Sequence, residues 1–387
     1  MKILFPVTLV TAALALTACG GGGGGNDAPA SNSGTVNVAI TDNPSCGFNH
    51  VWVTVQQIRV NGSATAGDND AGWQTLTLAT PQRIDLLSLT NGVLQQLGQF
   101  PLSAGQYQQI RLVLVANGNT VVPTTATGAD GTEVALSTPS ATQSGYKVIG
   151  NFTVQPNTLT DLVLDFDACR SIVQKGNGAY SLKPVVTATP VVVSGRIKGY
   201  VSPTEVGAMV YAEQNGHVIK GTVVNTDGSF TLAPLVQSSA NGNYDVVVVD
   251  KGYADAIIRA VPVTANADTT VSTAAAPIST PASGVQIASG SATSASDGIL
   301  VRALQTVNGG TYEIASMVTN GSFSFTLPAG TPTYVGTYSS TLPIALTSNG
   351  IAAGQYQIEA DETVTGAVQT TPINITSSSI TNLNFKF

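Results

Sequence analysis

The residues able to do chemistry are few and widely spaced in this chain of 387 residues: charged side chains make up 10%, with 22 acids, 15 lysines and arginines and two histidines. Asp165 and Asp167 could face a glycosidic bond as a carboxylate pair, the arrangement a glycoside hydrolase needs. Their spacing of two, however, sets both on the outward face of a strand whose inward residues are Leu164 and Phe166, which reads as a solvated strand face. Calcium is the other chemistry open to the acids. Asp68 and Asp70, in an Asp-Asn-Asp loop, join Asp165 and Asp167 as candidates, without the ligand count or spacing of an established calcium loop. No Gly-x-Ser-x-Gly elbow and no His-Glu-x-x-His motif occurs, and two histidines leave little room for a Ser-His-Asp arrangement. His50, at the entrance to a strand, and His217, in an Asn-Gly-His turn, read as solvated. The expectation is a chain with no catalytic residues, no metal and no cofactor. Its net charge of −7 comes from dispersed acids and its basic residues never cluster, so nucleic acid is not an expected partner.

The elements that would carry these residues are strands. With 40 Gly and 19 Pro among abundant Thr, Ser and Val, the composition points to short strands and many turns, and no long window shows a helical apolar stripe. Val36, Val38 and Ile40 alternate with Thr35, Asn37 and Thr41. The same pattern returns at Val51, Val53 and Val55, at Leu76 and Leu78, at Ile110, Leu112 and Leu114, and at Leu162, Leu164 and Phe166. Trp52 is out of phase with its valines, so it is exposed or covers a second apolar face. A helical turn fits only between Leu86 and Leu97.

At the start, Met1-Lys2 and the apolar run Ile3 to Leu16, too short for a bilayer span, read as a processing signal. The run ends in Leu16-Thr17-Ala18-Cys19, which resembles the lipobox of bacterial lipoproteins. The resemblance implies removal of residues 1–18 and lipidation of Cys19. Residues 19–33, rich in Gly, read as a flexible tether, and Gly20 after the cysteine is compatible with sorting to an outer membrane. Cys46 and Cys169 remain as an even pair in an exported chain. They are expected to form a disulfide, since neither belongs to a CxxC pair and histidine ligands are too few for zinc.

Gly34 to Asp42, Val51 to Arg59, Trp73, Leu86 to Gly92 and Leu102 to Leu112 together resemble the bacterial domain of unknown function 4382. That resemblance implies an exported, often lipidated protein and brings no activity or catalytic residue set. Further on, Gly207 to Ala212 aligns with Gly298 to Ala303, Gly228 to Leu232 with Ser322 to Leu327, and Tyr244 with Tyr356, which implies two copies of one β module. The first copy, through Gly195 to Val201, Thr226 to Leu232 and Gly242 to Val247, resembles the carboxypeptidase regulatory-like, prealbumin-type sandwich.

The fold expected is all-β: three consecutive antiparallel β-sandwich domains of Greek-key or Ig-like type over 34–190, 191–273 and 284–387, with 274–283 as a stiff Thr- and Pro-rich linker. Each carries Gly-x-Tyr, at Tyr107, Tyr244 and Tyr356, which resembles the tyrosine corner of such sandwiches and implies that each hydroxyl bonds a backbone group and stabilises its own module. The function expected is a non-enzymatic envelope lipoprotein at the outer membrane or cell surface, anchored through Cys19, acting as a stalk and recognition surface for a protein or glycan. The alternatives are a carbohydrate-binding module protein, which rows of exposed Trp or Tyr would favour, and an accessory subunit or degenerate enzyme.

Overall fold

A computed structural model of the chain describes residues 32–43, 47–125, 127–139, 144–295, 298–349 and 353–387. Cys19 and Cys46 lie outside these residues. Residues 32–387 form one compact unit, and among the described residues no helix is long and apolar enough to cross a membrane.

The principal strands of the first module are β1 (Ser33–Asp42), β2 (Phe48–Asn61), β3 (Gln74–Asp85), β4 (Gln95–Ser103), β5 (Gln109–Leu114), β6 (Leu159–Phe166) and β7 (Val186–Pro190). The helical turn expected after Leu86 is a single 3-10 turn, Leu86–Ser88. The alternating valines of β1 and β2 meet in one core: Val36, Val38 and Ile40 pack with Val51, Val53 and Val55, all fully buried. Each such side chain contributes about 1.5–3 kcal/mol over its exposed state.

The second module holds β8 (Ser194–Tyr200), β9 (Met209–Gln214), β10 (His217–Val223), β11 (Ser229–Val236), β12 (Tyr244–Val249), β13 (Ala256–Val261) and β14 (Asp268–Thr270). The third holds β15 (Val285–Thr293), β16 (Ile299–Val307), β17 (Gly310–Thr319), β18 (Gly321–Pro328), β19 (Tyr334–Thr337), β20 (Gln355–Glu362), β21 (Ala367–Asn374) and β22 (Ile380–Lys386). The sequence repeat is also a repeat of topology. Sheets β11-β8-β14 and β10-β9-β12-β13 of the second module correspond to β18-β15-β22 and β17-β16-β20-β21 of the third. In all three modules the first strand runs antiparallel to a middle strand and parallel to a late one: β1 with β4 and β6, β8 with β11 and β14, β15 with β18 and β22. Most strand pairs in the sandwiches are antiparallel, and this closing pair is parallel in each module.

The three tyrosines act at equivalent places. The hydroxyl of Tyr107 donates to Ser103 O (2.8 Å), that of Tyr244 to Val236 O (2.8 Å) and that of Tyr356 to Pro328 O (2.7 Å). Ser103, Val236 and Pro328 are the last residues of β4, β11 and β18, the strands paired antiparallel to each module's first. Gly242 and Gly354, two residues before their tyrosines, have φ of 88° and 63°, a conformation that admits glycine and strains side chains.

The cores remain distinct, but their boundaries are crossed. β19, which falls in the third module, adds in parallel to β13 of the second, pairing Ile257 with Val335. Val246 and Val248 of β12 fill the second core while Val247 of the same strand packs into the third. A bridge between Gln174 and Thr319 joins sheets of the first and third modules into one of 12 strands. The stretch 274–283, expected as a linker, is packed on the second module: Ile278 is buried, its N–H bonds Tyr200 O (2.8 Å), and Thr280 N–H bonds the carboxyl of buried Glu205 (3.3 Å). Its apolar and backbone groups find partners there that a free linker would leave to water.

Tyr244→Phe leaves Val236 O without its partner and is expected to cost about 1–3 kcal/mol. Because strands and core residues are shared across the boundaries, the loss should shift one common denaturant transition of the whole chain. A separate early transition, with the remainder unmoved, would show that the modules are independent after all.

Candidate functional site: the junction between the modules

The β9–β10 hairpin turns at Asn215-Gly216, with φ of 54° and 75°, the backbone that a tight two-residue hairpin requires and that this dipeptide favours. The hairpin lies between the first and third modules. Toward the first, Gly221 N–H bonds Asn43 Oδ1 (3.1 Å), and Asn91 bonds Thr222 Oγ1 and Val223 O (2.9 and 2.8 Å). Between these contacts Lys220, its side chain 1% exposed, donates from Nζ to Asp165 Oδ1 (2.6 Å) and to Asp42 O (3.0 Å). Asp42 Oδ1 accepts from Ala168 N–H (3.0 Å), and its Oδ2 has no partner. Burial pushes the Asp42 carboxyl well above the usual carboxylate range and raises that of Asp165, with Lys220 pulling each back.

Toward the third module the hairpin meets a guanidinium that is itself held by ion pairs. Arg302 Nη1 reaches His217 Nδ1 (2.9 Å) and Gly216 O (3.1 Å), and the same guanidinium pairs with Glu359 and Glu313. Arg170 of the first module, on the short helix α1 (Ala168–Ser171), meets both oxygens of Glu313 (2.9 Å each). Glu213 Oε2 accepts from Glu313 N–H (3.1 Å) while its Oε1 is unpartnered; burial first, and repulsion from Glu313 second, hold the Glu213 carboxyl well above its ordinary value. A surrounding of low polarity shifts such acids toward the neutral form.

The expected solvated face of Asp165 and Asp167 is corrected here. Asp165 is 7% exposed and held by Lys220, and Asp167 caps α1, its Oδ1 accepting from Arg170 N–H (3.0 Å). The second module covers this end of the sheet, so β1 alternates at first and is then buried on both faces from Val38 to Asp42. Asp68 pairs with Arg111, and Asp70 Oδ2 accepts from Gly67 N–H (2.8 Å); no group of three or more metal-ligating side chains occurs among the described residues. Cys169 lies on α1, next to the end of β1, where Asn43 N–H bonds Phe166 O (2.9 Å).

His50 is not simply solvated. Its Nδ1 meets Asp85 Oδ2 at 2.6 Å, a hydrogen bond that raises the imidazole above its ordinary value. Its ring stacks near Trp52 at 6.0 Å, and the Arg83 guanidinium lies 4.1 Å over that indole. Trp73 carries Arg59 and Arg111 at 4.6 and 4.7 Å. Both tryptophans therefore already hold cations against their rings, the places a sugar would stack. A groove of about 690 Å³ beside Phe152 and Pro190 holds one acid, Asp161, which accepts from Asn37 Nδ2 (2.7 Å).

Sequence reasoning missed Lys220, Arg170, Arg302, Glu213, Glu313 and Asp42. For all but Arg170, which lies on a helix, the signal is a lone charge in an otherwise uncharged strand, as in Val218-Ile-Lys-Gly-Thr-Val223, in a chain that uses few charges.

Residues 33–184 match the model of a domain of unknown function (DUF4382). No curated protein matches the chain. Among solved structures, an N-terminal interface mutant of a type II cohesin–X-dockerin complex from Acetivibrio cellulolyticus is 24% identical over 23% of this chain and 58% of that one, with a TM-score of 0.19. The major pilin SpaA of Corynebacterium diphtheriae is 11% identical over 91% of this chain and 98% of that one, with a TM-score of 0.15. The pilus adhesin SpaC of Lactobacillus rhamnosus GG is 9% identical over 89% and 38%, with a TM-score of 0.14. Likenesses at these scores carry no argument about this chain.

Glu313→Gln leaves Arg170 and Arg302 buried with reduced counter-charge and is expected to cost about 3 kcal/mol. Glu213→Gln, which replaces a carboxyl that burial pushes toward its neutral form, should cost distinctly less. Urea midpoints of the two variants decide this, and equal losses would mean that Glu213 is ionised in the fold.

Proposed function

We propose that this chain is a non-enzymatic cell-envelope lipoprotein, anchored through Cys19 at an outer membrane or cell surface, whose β modules form a stiff stalk and recognition surface. The observation that supports this reading is the junction: charges from three modules are engaged with one another in the interior, Lys220 with Asp165 and Arg170 and Arg302 with Glu313. A chain using its buried ionic groups this way fixes the relative placing of its modules, which serves a protein that holds a surface at a distance from its anchor. We take the second module as a carboxypeptidase regulatory-like unit in that stalk, on the resemblance of Gly195 to Val201 and Thr226 to Leu232, and the third as its degenerate copy, on the repeat alone. Cys46 and Cys169 are proposed to form a disulfide across the junction's edge, since Asn43 and Gly47 flank the segment of Cys46 and Asn43 bonds beside α1.

Cys19→Ser is expected to move the chain from the membrane fraction to a soluble or unprocessed form, with no lipid mass on its N-terminal peptide. Unchanged retention of the variant would remove the anchor from this reading. Non-reducing peptide mapping of the exported chain should recover Cys46 and Cys169 in one linked fragment, and two free thiols would rule the bond out.

A further inference from the structure

We propose that Lys220 and Asp165 become joined by an amide bond between Nζ and Cγ, a covalent cross-link between the second and first modules. The amine and carboxyl face each other at 2.6 Å with side-chain exposures of 1% and 8%, across a chain separation of 55 residues. The Asp42 carbonyl, 3.0 Å from Nζ, holds the amine in place. Groups fixed in this way react as if at effective concentrations of about 10⁵–10⁸ M.

The surroundings favour the reactive forms. A buried ion pair loses its hydration, so transfer of one proton from the Lys220 ammonium to the Asp165 carboxylate gives a neutral amine and a neutral acid, the two partners of condensation. Burial acts on Asp165 in that direction, raising its carboxyl against the pull of Lys220. Nζ then adds to Cγ, the C–N bond forms, and a second proton leaves nitrogen for the hydroxyl on Cγ, which departs as water. Asp42, whose backbone carbonyl already holds Nζ, is fully buried with Oδ2 unpartnered, and burial raises its carboxyl, so it is the group proposed to relay that proton. No oxidant, metal or activated donor is required, and the site that releases the water also keeps bulk water from reversing the step. The cross-link removes two charges from the interior, and with them the cost of keeping them there.

The test is a peptide map of the full-length chain, purified from its native host, reduced to open any disulfide, unfolded and digested with trypsin. The expected result is a branched peptide containing Lys220 and Asp165, lighter by one water than its two parts, with no cleavage after Lys220. Lys220→Arg and Asp165→Ala should each abolish the branched species. The proposal is overturned if trypsin cleaves after Lys220 and the Asp165 peptide is recovered at its full mass. It is equally overturned if the branch maps to another residue pair. Because the wild-type map decides by itself, the outcome does not depend on whether either variant folds.

Discussion

A lysine taken out of water must be met by an anion in the right place, and the mutual fit of the modules depends on that constraint at Lys220. Its ammonium is 1% exposed, and the carboxylate that meets it comes from β6, in another module. Remove the first module and the β9–β10 hairpin carries an unpaired cation on an uncovered strand; remove the hairpin and Asp165 faces an apolar boundary alone. Breaking one side of such a pair costs about 3–5 kcal/mol, a large part of the stability of an ordinary domain. The net attraction is modest and the penalty for misplacement large, so the pair specifies the arrangement more strongly than it stabilises it.

Against that background the scarcity of charge acquires a structural meaning. A chain with 10% charged residues has few to spend, and several are in the interior: Asp42, Asp165, Glu213, Lys220, Arg302 and Glu313. The acids without a full cationic partner are pushed toward the neutral form. Glu205 is pushed up to about 7 and Asp255 to about 8 by burial, and both lie in the second module where 274–283 and β19 cover it. Neutral acids can be enclosed at lower cost than charged ones, so covering strands can lie over them without a matching cation for each.

What the sequence disclosed follows from what period-two alternation can report. It identifies a strand and the face that meets its own partner sheet, which is why Val36, Val38 and Ile40 or Leu164 and Phe166 were legible as core. The repeat from Gly207 to Tyr244 and from Gly298 to Tyr356 was legible for a related reason: the same sandwich needs apolar residues at the same steps, and its tyrosine needs glycine two residues earlier. The opposite face of a strand is reported only if nothing else covers it. Asp165 looks solvated from its neighbours in sequence because Lys220 is 55 residues away. The packing of 274–283 was hidden similarly, since Thr and Pro composition describes a stiff segment and not the surface on which it rests.

The tyrosines and the ionic junction differ in legibility, although both are polar contacts in a core, because their partners differ in kind. Tyr107, Tyr244 and Tyr356 each bond a backbone carbonyl at a strand end, an acceptor that every sandwich possesses, so one side chain and one turn suffice to encode the contact. The junction needs two side chains of opposite charge from separate modules, and neither position is meaningful without the other. Val247 makes the apolar counterpart of that argument: it belongs by sequence to the second module and by packing to the third, because β12 is covered on both faces. A module boundary drawn along the chain therefore divides the sequence where the repeat divides it, while the cohesive surface runs through the interior of β12, β10 and β6.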